Sequence, residues 1–319
     1  MRYGLPYKGS KNYIAKWLIS NLPSADTFVD LFCGGGAVTH CAMLSGKWNN
    51  FIMNDIDARL PVLFKDCAYG KYTVDNKREW IDRDTFNRLK DVDAYIALVW
   101  SFGNNGKDYI YSSDIEKFKK DYHCSVYTND TSILEKYGYK IKPSKLNDVY
   151  GRYLEFNRQI KKFERNDLDS LSRQIEIERL QHLKHLQSLQ SLQSLQSLQS
   201  LQNLGVDYRC VKIPNDSVLY CDIPYCGTNC GKYQGFNHRQ FYEWAEKQDN
   251  IFISEYQMPE AFIPIAKTTK RVLSVANGNS GVVMEYLFTN RKTYNDFSEE
   301  KKEQISLEMA SQLSLFRHF

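Results

Sequence analysis

A chain of 319 residues with 42% hydrophobic and 25% charged residues has the makeup of a globular protein, long enough for one large domain or a domain carrying an insertion. Its net charge of +4 is too small for the whole chain to attract a polyanion, so any such attraction must come from local patches. Eight scattered cysteines, several inside apolar runs, read as reduced thiols, and no apolar run approaches the length of a membrane span.

Lys11 to Leu22 carries apolar residues at helical spacing (Ile14, Trp17, Leu18, Leu22) and stops at Pro23. Thr27 to Cys33 reads as a short buried strand, followed at once by Gly34-Gly-Gly36 and a helix over Ala37 to Leu44. A second strand, Asn50 to Asn54, ends in Asp55, and Arg59 to Tyr69 is again helical. From about residue 71 to 205 the alternation is lost, and the chain turns charged, tyrosine-rich and partly helical. The strand pattern resumes at Ser217 to Asp222 and at Asn250 to Ser254. It closes with two antiparallel-looking strands, Lys270 to Val275 and Val282 to Thr289, linked through Asn277-Gly-Asn-Ser-Gly281. Strands alternating with helices predict an α/β fold, doubly wound about a mostly parallel, Rossmann-like sheet, with a largely helical insertion between its halves. Residues 1–70 and 206–295 form the sheet domain on this reading, 71–205 the insertion, and 296–319 a C-terminal helix or tail.

From Leu180 to Leu204 a leucine falls at every third position, and residues 188–202 are five copies of Ser-Leu-Gln. On an α-helix a three-residue step falls about 60° short of a full turn, so the leucines spiral round the cylinder and form no single buried face. The favoured reading is a low-complexity helical spacer whose length can vary without loss of folding. The alternative is an arm whose winding leucines pack against several surfaces in turn.

Val218-Leu-Tyr-Cys-Asp222-Ile-Pro-Tyr225 is an apolar strand ending in Asp-x-Pro-Tyr. A carboxylate and a main-chain carbonyl accept the two hydrogens of an exocyclic amine, and a tyrosine stacks on the ring that bears it, so this tip suits chemistry on the amino group of a base. Gly34-Gly-Gly36 lets a ligand approach the backbone at the end of the first strand, and Asp55, about twenty residues on, is placed to accept from ribose hydroxyls. A helix N-cap is the other reading of Asp55. Cys226-Gly-Thr-Asn-Cys230 lacks a second pair at zinc-binding spacing, so no metal is expected.

Together with Pro6-Tyr-Lys-Gly-Ser-Lys11, these motifs resemble the Dam-type DNA adenine N6-methyltransferases over most of the chain, from Pro6 to about Asn290. That family's order is an aromatic-x-Gly-x-Lys segment, a Phe-x-Gly-x-Gly turn, an Asn-Asp-Ile strand tip, a target-recognition insertion and Asp-Pro-Pro-Tyr. The resemblance implies a methyltransferase sheet in which Tyr7, Lys11, Asp30, Phe32, Gly34, Gly36, Asp55 and Asp222 hold S-adenosylmethionine, while Asp222, Pro224 and Tyr225 hold and activate an adenine flipped from duplex DNA. Trp100-Ser-Phe-Gly-Asn-Asn-Gly106 is similar to the family's Gly-x-Asn-Gly segment. Ile223 departs from the pattern by replacing the first proline, and the Ser-Leu-Gln arm lies where the family has recognition elements.

Residues 136–165 hold nine Lys/Arg against three Asp/Glu, interleaved with Tyr137, Tyr139, Tyr150, Tyr153, Phe156 and Phe163. Basic residues neutralise phosphates, and aromatics can fill the gap left by a displaced base. Asn105, Lys107, Lys140, Lys142, Arg152 and Arg158 are therefore the DNA-binding candidates; the other reading is a solvated helix face above an aromatic core. The expected protein is a cytoplasmic, bacterial or phage-encoded adenine N6-methyltransferase with double-stranded DNA as partner and no membrane association. A cytosine N4-methyltransferase of the same fold is the nearest rival, a catalytically inactive DNA-binding relative the next, and a nicotinamide dehydrogenase the last.

Overall fold

The computed structural model describes residues 2–166, 180–195, 200–225, 235–272 and 281–311. Contacts divide the chain into two compact units, Ser10–Pro61 with Ser197–Phe319, and Arg2–Gly9 with Val62–Gln196.

The first unit is built on seven strands: β1 (Thr27–Asp30), β2 (Asn50–Asn54), β3 (Leu201–Leu204), β4 (Ser217–Cys221), β5 (Ile251–Glu255), β6 (Phe262–Val272) and β7 (Gly281–Asn290). They lie in the order β3-β2-β1-β4-β5-β7-β6. The first five run parallel, β7 is antiparallel to β5, and β6 is antiparallel to β7. This is the expected mostly parallel α/β sheet. Every residue of β1 and β4 is buried, as befits central parallel strands covered on both faces. Chain order reverses between β1 and β4, where Asp30 stands in register with Tyr220, so the carboxyl ends of these strands form the switch point at which open α/β sheets take ligands. Helices α1 (Ala15–Asn21) and α2 (Ala37–Ser45) flank β1 in sequence, and α3 (Arg59–Ala68) follows β2.

The second unit is helical, with α4 (Arg83–Leu89), α5 (Ala94–Val99), α6 (Ser113–Thr128), α7 (Val149–Asn166) and α8 (Gln181–Gln190). Asp82 and Asp93 cap α4 and α5 by accepting from the N–H of Thr85 and Ile96. Its core is aromatic. Trp100 stacks on His182 at 4.2 Å, the Tyr111 hydroxyl meets His182 Nδ1 at 2.7 Å, and His182 Nε2 meets His123 Nδ1 at 2.9 Å. The first unit also holds α9 (His238–Ala245), α10 (Arg291–Asn295) and α11 (Glu299–Ser311), the last within the expected C-terminal helix. Among the described residues no helix is long and apolar enough to cross a membrane.

Three expectations change. Leu180, Leu183, Leu186, Leu189 and Leu192 are fully buried and Leu195 nearly so, which overturns the spacer reading. The sixty-degree drift is tolerated because the α-helical stretch is short: three leucines inside α8 sweep only about 120°, roughly the width of an ordinary apolar face. The chain then tightens to a 3₁₀ turn at Ser191–Ser194, where three residues make one turn and the drift stops. Second, the last repeat supplies β3, so Leu201–Leu204, assigned to the insertion, is an edge strand paired with β2. Its Leu-Gln-Asn-Leu sequence carries no strand signal; the pairing is decided by β2. Third, β6 begins at Phe262 rather than Lys270. Pro264 lies inside β6, which is tolerated because β6 is the sheet's edge and a bulge between Pro264 and Ala266 accommodates the missing N–H. Residues 273–280, including Asn277 and the remainder of the expected linker up to Ser280, lie outside the described residues, as do Cys226 and Cys230.

Candidate active site

The Asp222-Ile-Pro-Tyr225 turn leaves the carboxyl end of β4. Lys11 Nζ lies 2.5 Å from Asp222 Oδ1, and the Ser254 hydroxyl of β5 donates to the same oxygen at 3.4 Å while pairing with the Tyr220 hydroxyl at 2.8 Å. The same lysine stands 3.7 Å from Glu285 of β7 and 4.5 Å from the centre of the Tyr225 ring. Its side chain is 5% exposed, that of Asp222 21% and that of Glu285 none. Burial pulls the Lys11 pKa down, but the charges of Asp222 and Glu285 and the hydrogen bond to Asp222 outweigh it and hold the ammonium above its ordinary range.

Tyr225 donates its hydroxyl to Glu285, and its ring meets Tyr256 edge-on at 4.5 Å. Burial, reinforced by the charges of Asp222 and Glu285, pushes the phenol well above its usual pKa, so it stays a donor. Two features differ from the open socket expected from the sequence. The ring face of Tyr225 lies under the Lys11 ammonium, and the Pro224 carbonyl accepts from His238 Nε2 at 2.7 Å, which leaves it one lone pair.

At the neighbouring strand tips, Gly34 and Gly36 adopt left-handed φ of 48° and 68°, a conformation that a side chain would strain. The Gly34 N–H donates to Asp55 Oδ2 at 2.9 Å, and the Asp57 N–H donates to Asp55 Oδ1 at 2.9 Å. Asp55 therefore ties the tip of β2 to the glycine turn. It is not the cap of α3, which starts at Arg59 with Asp57 accepting from the Arg59 N–H at 3.3 Å. Asp30, almost fully buried, accepts from Thr39 of α2 at 2.7 Å. Burial pushes its carboxyl up to about 7 against that hydrogen bond, and the charges of Asp222 and Asp55 add to the rise. Three carboxylates thus converge beside a glycine turn, a donor set that fits a cationic ligand approaching the backbone. Phe32 packs its ring against Tyr208, Phe236 and Phe241 at 5.4–5.7 Å. Tyr7 belongs to the second unit and is half-buried.

The family model of the D12 class N6 adenine-specific DNA methyltransferases matches residues 7–305. The chain belongs to this family. No curated protein matches it. A D12 methyltransferase acts on adenine in DNA at specific sites, so the enzyme class inferred from Asp-x-Pro-Tyr holds.

In this D12 methyltransferase the DNA-binding candidates of the second unit fall into two groups. Lys107, Lys140, Lys142 and Arg158 are exposed. Arg152 is half-buried and donates to the Tyr127 carbonyl at 3.3 Å, and Asn105 folds its own loop by accepting from the N–H of Lys107 and Asp108 at 2.8 and 3.1 Å. Tyr139, Tyr153 and Phe156 are core residues, which corrects the expectation that they fill the gap left by a displaced base. Their spacing on α7 and before it serves the interior, with the lysines on the solvent side.

Sequence reading passed over Glu285 and His238. A lone carboxylate in the apolar run Val282-Val-Met-Glu-Tyr-Leu-Phe288 was the available signal for Glu285, since a charge there requires partners. Nothing local marks His238, whose role depends on the turn it reaches.

Proposed function

We propose that this adenine methyltransferase takes its methyl group from S-adenosylmethionine and transfers it to the N6 amine of an adenine flipped out of duplex DNA. The observation that supports the reading is the position of Lys11: a nitrogen donor already bonded to Asp222 and seated over Tyr225 marks the place where an amine on a planar ring would fit. Gly34, Gly36 and Asp55 would hold the adenosine half of the donor, and the carboxylates of Asp30, Asp55 and Asp222 complement its positive charges. When bound, the donor supplies an electrophilic methyl group on a sulfonium.

Asp222 accepts one amine hydrogen, and the main-chain carbonyl of residue 223 or 224 accepts the other. Both bonds draw the N6 lone pair out of conjugation with the ring and raise its nucleophilicity. Tyr225 stacks on the extruded base at about 1–3 kcal/mol, offsetting part of the few kcal/mol that flipping costs. A donor bound there would give its methyl to N6 with the C–S electron pair left on sulfur, and the partly exposed Asp222 would pass the surplus N6 proton to solvent. Exposed Lys107, Lys140, Lys142 and Arg158 would engage phosphates. The reaction belongs in the cytoplasm, where the DNA of a bacterium or phage is found.

Labelled methyl transfer by Asp222→Ala tests the assignment. The variant should lose transfer while binding DNA as the parent does; an active Asp222→Ala enzyme contradicts it.

A further inference from the structure

We propose that Glu285 of β7 is a positioning residue for methyl transfer: it anchors Tyr225 through the phenol hydroxyl and takes over the Lys11 ammonium when the target amine claims Asp222. This rests on the reading of the site given above. Glu285 has no solvent-exposed surface and sits at the centre of the β6/β7 hairpin, opposite Thr268. A carboxylate so buried is tolerated only with partners, and Tyr225 and Lys11, two of its partners, are groups that the incoming base must negotiate.

Lys11 lies between two carboxylates, at 2.5 Å from Asp222 and 3.7 Å from Glu285. While it stays on Asp222 it occupies Oδ1 of the acceptor and the ring face of Tyr225, the places that the base needs. Retreat to water would drag a buried ammonium out of its packing, whereas a shift of about 1 Å transfers it to Glu285 with its charge still compensated. Asp222 is then released as an anionic acceptor, and the charge on Glu285 is balanced. Meanwhile the bond from Tyr225 to Glu285 fixes the tilt of the stacking ring. Glu285 touches neither base nor methyl donor; it acts through Lys11 and Tyr225.

Glu285→Gln keeps an acceptor for the Tyr225 hydroxyl and removes only the charge, while Tyr225→Phe keeps the ring and removes only the anchor. Single-turnover transfer at saturating DNA and donor, with donor affinity measured by calorimetry, is compared in the full chain for the parent, Glu285→Gln, Lys11→Met, the double variant and Tyr225→Phe. Glu285→Gln should bind S-adenosylmethionine within about threefold of the parent yet transfer at least about tenfold more slowly. The double variant should match Lys11→Met to within about twofold, because without the ammonium there is nothing for Glu285 to receive. Tyr225→Phe should slow transfer by about threefold or more with DNA affinity retained. A Glu285→Gln enzyme at parental rate, or losses that multiply in the double variant, overturns the handover; a Tyr225→Phe enzyme at parental rate overturns the anchoring role. A parent that methylates no adenine would instead count against the underlying reading of the site.

Discussion

Lys11 Nζ rests 2.5 Å from Asp222 Oδ1, with Glu285 3.7 Å away on its other side. The pair joins residues 211 positions apart, one just ahead of α1 and one at the tip of β4, both within the first unit. Lys11→Met removes one partner of an ion pair that is closed on one side and partly open on the other. Stability should fall by about 1–3 kcal/mol, less than the loss for a fully buried pair because Asp222 retains access to water. Urea denaturation checks this, and an unchanged midpoint would mean that the pair forms only nominally.

The Ser-Leu-Gln repeats invite a direct contrast. Leu189 is fully buried whereas Gln187 on the same helix is partly exposed. Leu189→Ala should lose about 2–5 kcal/mol and Gln187→Ala no more than about 0.5 kcal/mol. Equal effects in thermal or urea unfolding would restore the spacer reading. Deletion of a whole unit should likewise destabilise the protein, since each of the described units before residue 195 carries a buried leucine.

Much of the first unit was legible in advance. β1, β2, β4 and β5 announced themselves as apolar runs closed by glycine or an acid, and the motif tips at Gly34, Asp55 and Asp222 fell on one edge because parallel strands end together. What could not be read depended on partners distant in sequence. β3 exists because β2 offers an edge, β6 overrides Pro264 because β7 pairs with it, and the engagement of Pro224 by His238 follows from a turn that no local pattern encodes. The repeats misled for a different reason: a three-residue period was tested against a uniform helix, and the chain answers with three kinds of backbone in succession.

The second unit carries its own acid sensitivity. Burial pushes the His123 pKa down to about 4 and that of His182 well below its usual value. Both are neutral when folded, whereas in the unfolded chain they take up protons near pH 6.5. Their contribution is complete above pH 6.5 and is lost as pH falls from there toward 4. Relative to the parent, His123→Gln should therefore lose less stability between pH 7 and 5, the difference being about 1–2 kcal/mol. Identical pH slopes in urea titrations would contradict a neutral His123.

Lys140 and Lys142 are exposed, while Arg152 is tied to the Tyr127 carbonyl. Replacing both lysines by alanine should weaken DNA binding and flatten its dependence on salt by about one to two phosphate contacts. Arg152→Ala should instead lower stability. A salt slope unchanged by the lysine replacements would move the DNA interface elsewhere.

On the proposed reading, Asp222 and Tyr225 present the N6 amine of adenine to a methyl donor. Nucleoside analysis of unmethylated DNA incubated with the full chain and S-adenosylmethionine tests it most directly. The expected product is N6-methyladenine, absent with Asp222→Ala; N4-methylcytosine, or N6-methyladenine formed equally by Asp222→Ala, would contradict the account.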